Sequence, residues 1–168
     1  MKELRVYLMA GILTVANLAG ASEVFVRGNS RAYHEYGAGQ TIVTSAFEVT
    51  YSNKNLPWGV RVDLVSGYRC TNEGSWTDQD DPKEMQAVAE YTWQARFSKP
   101  TGNRYVGLCR NLEFVFEITF PDGSKYYDNG LRAPMGFYSA SIPYGSANSS
   151  TLESMLVRAL SSAQDYRD

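Results

Sequence analysis

Histidine is almost absent from this chain: His34 is the only one in 168 residues, beside two cysteines. A serine or cysteine triad that relies on imidazole has His34 alone to use. That residue sits in the turn-like stretch "NSRAYHEYGAG", and the chain has no G-x-S-x-G segment for it to serve. Two cysteines and one histidine argue against a structural zinc site of four such ligands. Asp78, Asp80 and Asp81 in "SWTDQDDPKE" lack the spaced oxygen ligands of a calcium loop and read as solvated acids. No glycine-rich phosphate loop or dinucleotide fingerprint occurs. No basic stripe occurs either: 16 Lys and Arg face 18 Asp and Glu, a formal net charge of −2. That balance argues against a nucleic-acid partner. No spacing singles out two carboxylates for glycoside hydrolysis. The residues therefore point to a non-catalytic protein without cofactor or metal.

Long apolar runs are equally scarce. The one present is N-terminal: Lys2 and Arg5, then "VYLMAGILTVANLA", then Ala19-Gly20-Ala21 in an A-x-A pattern. This is the layout of a cleaved export signal over residues 1–21. The run is short for a bilayer span of about 20 residues. The expected mature protein is soluble and exported, periplasmic or secreted, with no membrane span. An oxidising compartment lets a disulfide persist between Cys70 and Cys109. In the chain-entropy view, closing that loop stabilises the fold by roughly 4 kcal/mol.

What the chain does have is alternation with period two. Val43, Ser45, Phe47, Val49 and Tyr51 face one way, and Thr44, Ala46, Glu48 and Thr50 the other. Leu112, Phe114, Phe116, Ile118 and Phe120 form the cleanest apolar stripe; Val60, Val62 and Leu64 form a shorter one. Residues 85–97 alternate as well, although Asp81-Pro82 with Glu84 also fits a helix start. Ser52-Asn53-Lys54-Asn55, Ser66-Gly67, Pro100-Thr101-Gly102-Asn103 and Pro121-Asp122-Gly123 separate the runs as turns. Short alternating strands at this spacing predict a mainly β fold, an antiparallel immunoglobulin-like β-sandwich over residues 22–140. In such a topology the third and sixth strands are neighbours, which brings Cys70 beside Cys109. Residues 141–168 are expected as a linker and an amphipathic C-terminal α-helix. Leu152, Met155, Leu156 and Leu160 recur at helical spacing there, with Ser150 or Thr151 as the cap.

Aromatic residues make up 13% of the chain, twelve of them tyrosine. Tyr68, Trp76, Tyr126, Tyr127, Phe137 and Tyr138 fall at predicted strand ends or in loops. An aromatic plane can cover the apolar C–H face of a sugar, and nearby Asn and Asp side chains can bind its hydroxyls. The same side chains can also cap the ends of a core. "FPDGSKYYDNG" reads as a hairpin, since Asp122-Gly123 and Asn129-Gly130 are turn signals at its two ends.

"NLEFVFEITFPDGSKYYDNG" resembles the closing strands of starch- and glycogen-binding modules, carbohydrate-binding module family twenty-one and its relatives twenty-five and fifty-three. In these a strand of the type "ELEFAVxY" leads through a turn to an aromatic-Trp-Asp-Asn-Asn segment. Leu112-Glu113-Phe114 matches the strand and Tyr127-Asp128-Asn129 the start of the segment. Upstream, "FEVTYSNKNLPWGVRVDLVSGY" followed by Trp76 is similar to their "V-x-N … V-x-V-R-Y … W" portion. Tyr127 stands where the family has tryptophan, and Gly130 where it has a second asparagine. The resemblance covers about residues 41–138. It implies a β-sandwich that binds α-glucan polysaccharides or oligosaccharides without catalysis. Trp76 and Tyr127 would stack on sugar rings, Asp128 and Asn129 would bind hydroxyls, and Tyr68 and Tyr126 would assist. The alternative is a protein-interaction module of the envelope or secreted space, which meets its partner through the aromatic patch and the Leu152–Leu160 helix.

Overall fold

The computed structural model describes residues 22–34, 41–70, 81–103, 107–130, 136–143 and 151–161. These residues form strands and turns. In chain order the strands are β1 (Glu23–His34), β2 (Thr41–Ser52), β3 (Arg61–Cys70), β4 (Lys83–Glu84), β5 (Gln86–Ala89), β6 (Thr92–Asn103), β7 (Gly107–Thr119), β8 (Lys125–Asp128), β9 (Gly136–Ser141), β10 (Glu153–Ser154) and β11 (Val157–Ser161).

All pairings are antiparallel, and they make two sheets. The first runs β10-β1-β2-β6-β5. The second is built on β7, with β3 along one edge and β4 beyond it. The other edge of β7 carries β8 against Phe116–Thr119 and β9 against Asn111–Phe114, with β11 outside β9. The β6–β7 hairpin, pairing Gly102 with Leu108 and Asn103 with Gly107, joins the sheets at one end.

The period-two pattern explains which side is inside. Phe47, Val49 and Tyr51 of β2 and Leu112, Phe114, Phe116 and Ile118 of β7 are fully buried. Their facing rings meet between the sheets: Tyr51 and Phe116 lie 4.3 Å apart, centroid to centroid. Each such side chain contributes about 1.5–3 kcal/mol on burial. The β7–β8 turn closes as expected. Phe120 N–H donates to the Ser124 carbonyl at 2.9 Å, and Gly123 takes a φ of 83°.

Several sequence expectations give way. Ser66-Gly67 and Pro100-Thr101-Gly102-Asn103, expected as turns, lie inside β3 and β6, whose ladders run on through them. Residues 85–97 are two strands rather than one continuous run. Glu90 and Tyr91 form a tight turn, Tyr91 with φ 56°, so that β5 folds back on β6. The β4–β5 stretch crosses between the sheets at Met85, which is buried and donates its N–H to the Val62 carbonyl at 2.9 Å. The C-terminal segment, in turn, is strand where a helix is expected. Met155 N–H donates to the Val26 carbonyl at 2.8 Å, and β11 pairs with β9 over Val157–Ser161. The segment carries both periodicities: Met155, Val157 and Ala159 form an alternating stripe that packs on the core. A lone short helix gains little from propensity. The free backbone edges of β1 and β9 offer hydrogen bonds and burial together. Ser141, the first residue of the expected linker, is the last of β9.

Cys70 and Cys109 are Cα partners across β3 and β7, beside a register irregularity at Arg69/Cys70. No helix among the described residues is long and apolar enough to cross a membrane.

Candidate functional site

The predicted site residues part company. Trp76 lies outside the described residues, and Tyr68 is described by its backbone position in β3, opposite Leu112. Successive residues of β8 point to opposite faces. Tyr126, opposite Ile118, is half-buried and packs on the core. Tyr127, opposite Glu117, is 52% exposed on the outer face. Asp128, opposite Phe116, turns inward and is 1% exposed. Asn129 is buried beside it.

Asp128 corrects the expectation of a sugar-binding carboxylate. Its Oδ2 accepts from the Tyr51 hydroxyl at 2.8 Å, and its Oδ1 from the Tyr138 hydroxyl at 3.0 Å. Gly130 N–H also donates to Oδ1, at 3.0 Å, with Gly130 in the left-handed region at φ 73°. One carboxylate therefore closes the turn after β8 and ties both sheets together. Burial, with Asp128 second, pushes both phenols well above the ordinary tyrosine range, so they remain donors. The pattern "YDNG" is turn chemistry joined to a core network.

The network reaches the molecule's surface through Asn53. Its Nδ2 donates to the Tyr51 hydroxyl at 3.1 Å, and its backbone N–H to the Tyr91 carbonyl at 3.0 Å. Its Oδ1 accepts from Asn55 N–H at 3.0 Å, an Asx turn that shapes the β2–β3 loop. At the apex of that loop stands Pro57-Trp58-Gly59, with Gly59 at φ 82°. The indole of Trp58 is 92% exposed.

Trp58 lines a cavity of about 250 Å³ together with Val60, Ala87, Tyr91 and Trp93. A second cavity of about 600 Å³ shares Gly59, Val60, Ala87 and Trp93 with it and is also lined by Arg61, Glu84 and Gln86. These two cavities, adjoining through their shared residues, are the groove of this site, lined where the chain crosses from β4 to β5. Tyr91 at the groove wall is a non-glycine residue at positive φ, a conformation that concentrates at functional sites. The lining combines an exposed tryptophan, apolar residues, and the polar residues Arg61, Glu84, Gln86 and Glu90. Concave apolar sites with a few placed polar groups are the usual form of ligand sites. Sequence reasoning passed over Trp58. The signal was its place between proline and glycine, which puts a tryptophan on a turn apex.

The outer face of the second sheet holds a separate polar set. Glu117 is buried and accepts from Lys125 Nζ and from the Tyr127 hydroxyl. Those bonds, with Lys125 first, hold its carboxyl below the usual range. It stays ionised at neutral pH, the state of a positioning group rather than of a general acid. Asp63 beside it is paired with Arg61 at 2.8 Å. Among the described residues no cluster of His, Cys, Asp and Glu is arranged to hold a metal ion.

No known protein family, curated protein or solved structure matches this chain.

Proposed function

We propose that the protein is an exported, non-catalytic carbohydrate-binding protein of the immunoglobulin-like sandwich type, closed by a Cys70–Cys109 disulfide. Its ligand is an α-glucan chain, laid in the groove beside Trp58. The observation that carries this reading is Trp58 itself: a 92% exposed tryptophan that lines an apolar hollow, beside a second hollow lined by Arg61, Glu84 and Gln86. A sugar needs that combination, a flat apolar surface for its C–H face and donors and acceptors at the edge for its hydroxyls. The register of Cys70 opposite Cys109 supports the disulfide. The protein-interaction reading loses its main support, because the Leu152–Leu160 helix on which it relied is replaced by β10 and β11.

The test is retention on insoluble starch beside cellulose, with Trp58→Ala and Trp76→Ala variants matched for folding. The expected outcome is retention on starch that falls at least tenfold in Trp58→Ala, the loss of an aromatic contact of about 1.4 kcal/mol or more. Trp58 is exposed, so its replacement leaves the melting temperature unchanged. Absence of retention on both polymers overturns the reading. Loss in Trp76→Ala alone moves the site away from Trp58.

A further inference from the structure

The outer face of the first sheet carries a pattern of its own. Along β1, Val24 and Val26 pack on the core, so Glu23, Phe25 and Arg27 point outward. An acid, an aromatic ring and a base therefore stand in line at the border of the sheet. Phe25 is 62% exposed, and so, at 61%, is Leu156. The two lie together. Arg27 pairs with Ser154, Met155 N–H donates to the Val26 carbonyl, and the same register carried one residue on brings Leu156 to Phe25. Large apolar side chains grouped on an open surface mark a contact site.

Each of the three outward residues heads a row across the sheet. Glu23 leads to Ser52 and Thr92, Phe25 to Thr50 and Gln94, and Arg27 to Glu48 and Arg96. In the third row Glu48 is buried between two guanidiniums, 2.7 Å from Arg96 Nη2 and 3.7 Å from Arg27 Nη1. Arg27 also donates to the Leu152 carbonyl at 3.2 Å. Both cations are thereby held in place, and the row has one net positive charge. The first row is its counterpart. Glu23 is exposed and makes no ion pair among the described residues, while the hydroxyls of Ser52 and Thr92 bond each other at 3.0 Å. That row has one net negative charge. The two charges are equal and opposite about the Phe25 row.

Such a face complements itself under a two-fold rotation. With the axis lying in the interface, across the strands at the Phe25 row, the strands of a second copy run in the reverse direction. Glu23 of each copy then faces Arg27 of the other. Arg96 faces the hydroxyls of the Ser52–Thr92 row, and Phe25 and Leu156 meet their own copies at the centre. An axis along the strands would instead set the acidic row against itself and the basic row against itself, which like charges disfavour. We infer that the partner of this face is a second copy of the chain, in an isologous dimer centred on Phe25 and Leu156. β1, β2 and β6 have 12 residues each. Strands roughly 40 Å long and about 4.8 Å apart offer on the order of 600 Å² per copy, the size of a weak, reversible dimer. The dimer is independent of what the groove binds.

Sedimentation velocity of the purified protein over a concentration series tests it. The parent is expected to pass from monomer to dimer in the micromolar range. Phe25→Ser is expected to weaken association at least tenfold with an unchanged melting temperature, since the ring is exposed. Glu23→Arg and Arg27→Glu are each expected to weaken it as much, by setting like charges together. An equimolar mixture of those two variants is expected to recover the association of the parent, because every new charge then meets its opposite. Glu23→Arg and Phe25→Ser carry the test alone where Arg27→Glu, next to Glu48, fails to fold. A parent protein that stays monomeric at the highest soluble concentration overturns the inference. So does undiminished association in Glu23→Arg and Phe25→Ser, or a mixture of folded charge variants that stays monomeric.

Discussion

Replacing Asp128 with alanine is expected to lower the unfolding free energy by about 3–5 kcal/mol, a large share of the total for a single domain. The residue looks replaceable in the sequence, as a polar position in a turn. In the fold it is buried, with a tyrosine hydroxyl on each oxygen and the Gly130 amide on one of them. Its removal leaves the Tyr51 hydroxyl without its acceptor and the Tyr138 hydroxyl with Ser22 Oγ alone, at 3.2 Å. Burial and the carboxylate hold those phenols in their protonated form, so neither can adapt by ionising. The cost is the desolvation of both groups together with the lost charge-assisted bonds. Urea denaturation reads it as a fall in midpoint at constant slope. Asp128→Asn keeps one acceptor oxygen and is expected to lose about half as much. A loss below about 1 kcal/mol in Asp128→Ala contradicts the network described above. The same substitution is expected to loosen the groove, because Tyr51 is bonded to Asn53, and Asn53 to the carbonyl of Tyr91 at the groove wall.

Gly130→Ala is expected to be nearly as damaging, at about 3 kcal/mol, for a different reason. The residue has φ 73°, which costs an L-residue about 1–2 kcal/mol. An added Cβ would also stand 2.7 Å from Ala159 Cβ and 2.7 Å from Tyr138 Cε1. Both neighbours are held: Tyr138 by Asp128, and Ala159 by the pairing of β11 with β9. Gly123→Ala separates the two contributions. Gly123 has φ 83° but nothing within 4 Å of the would-be Cβ, so it is expected to lose only the conformational part, about 1 kcal/mol. Equal melting temperatures for the two variants would show that Gly130 faces no steric barrier.

Much of the fold was legible because burial in a sheet imposes period two. β2, β3 and β7 carry the expected stripes, and Cys70 and Cys109 are Cα partners across β3 and β7. The errors arose where two patterns coexist in one segment. Leu152, Met155, Leu156 and Leu160 fit a helix, and Met155, Val157 and Ala159 fit a strand. Open strand edges on β1 and β9 decide between them, and edges are not visible in a linear sequence. The reading of 85–97 as one strand failed because Tyr91 adopts a positive φ, which nothing in its chemistry announces.

Where the candidate groove lies was not legible in the sequence. The sequence is rich in exposed-type aromatics, and Tyr127 is indeed presented. Asp128 was misplaced because its neighbour Tyr127 faces out; in a strand that alternation turns the next residue in. Asp128 then finds partners, Tyr51 and Tyr138, which are distant in sequence and meet only in the folded sandwich. Trp58 was hidden for the opposite reason. A lone tryptophan between turn residues matches no site pattern until β5 and β6 bring Tyr91 and Trp93 into the same cavity lining.

The central claim is that a sugar lies against Trp58, and the emission of that indole reports it directly. The chain has three tryptophans, Trp58, Trp76 and Trp93, of which Trp93 is buried and Trp58 almost wholly exposed. Titration with maltoheptaose is predicted to shift the emission to shorter wavelength and to protect it from iodide quenching. Both changes are predicted to vanish in Trp58→Phe. An unchanged spectrum at saturating sugar, or the same shift in Trp58→Phe as in the parent protein, would contradict the account.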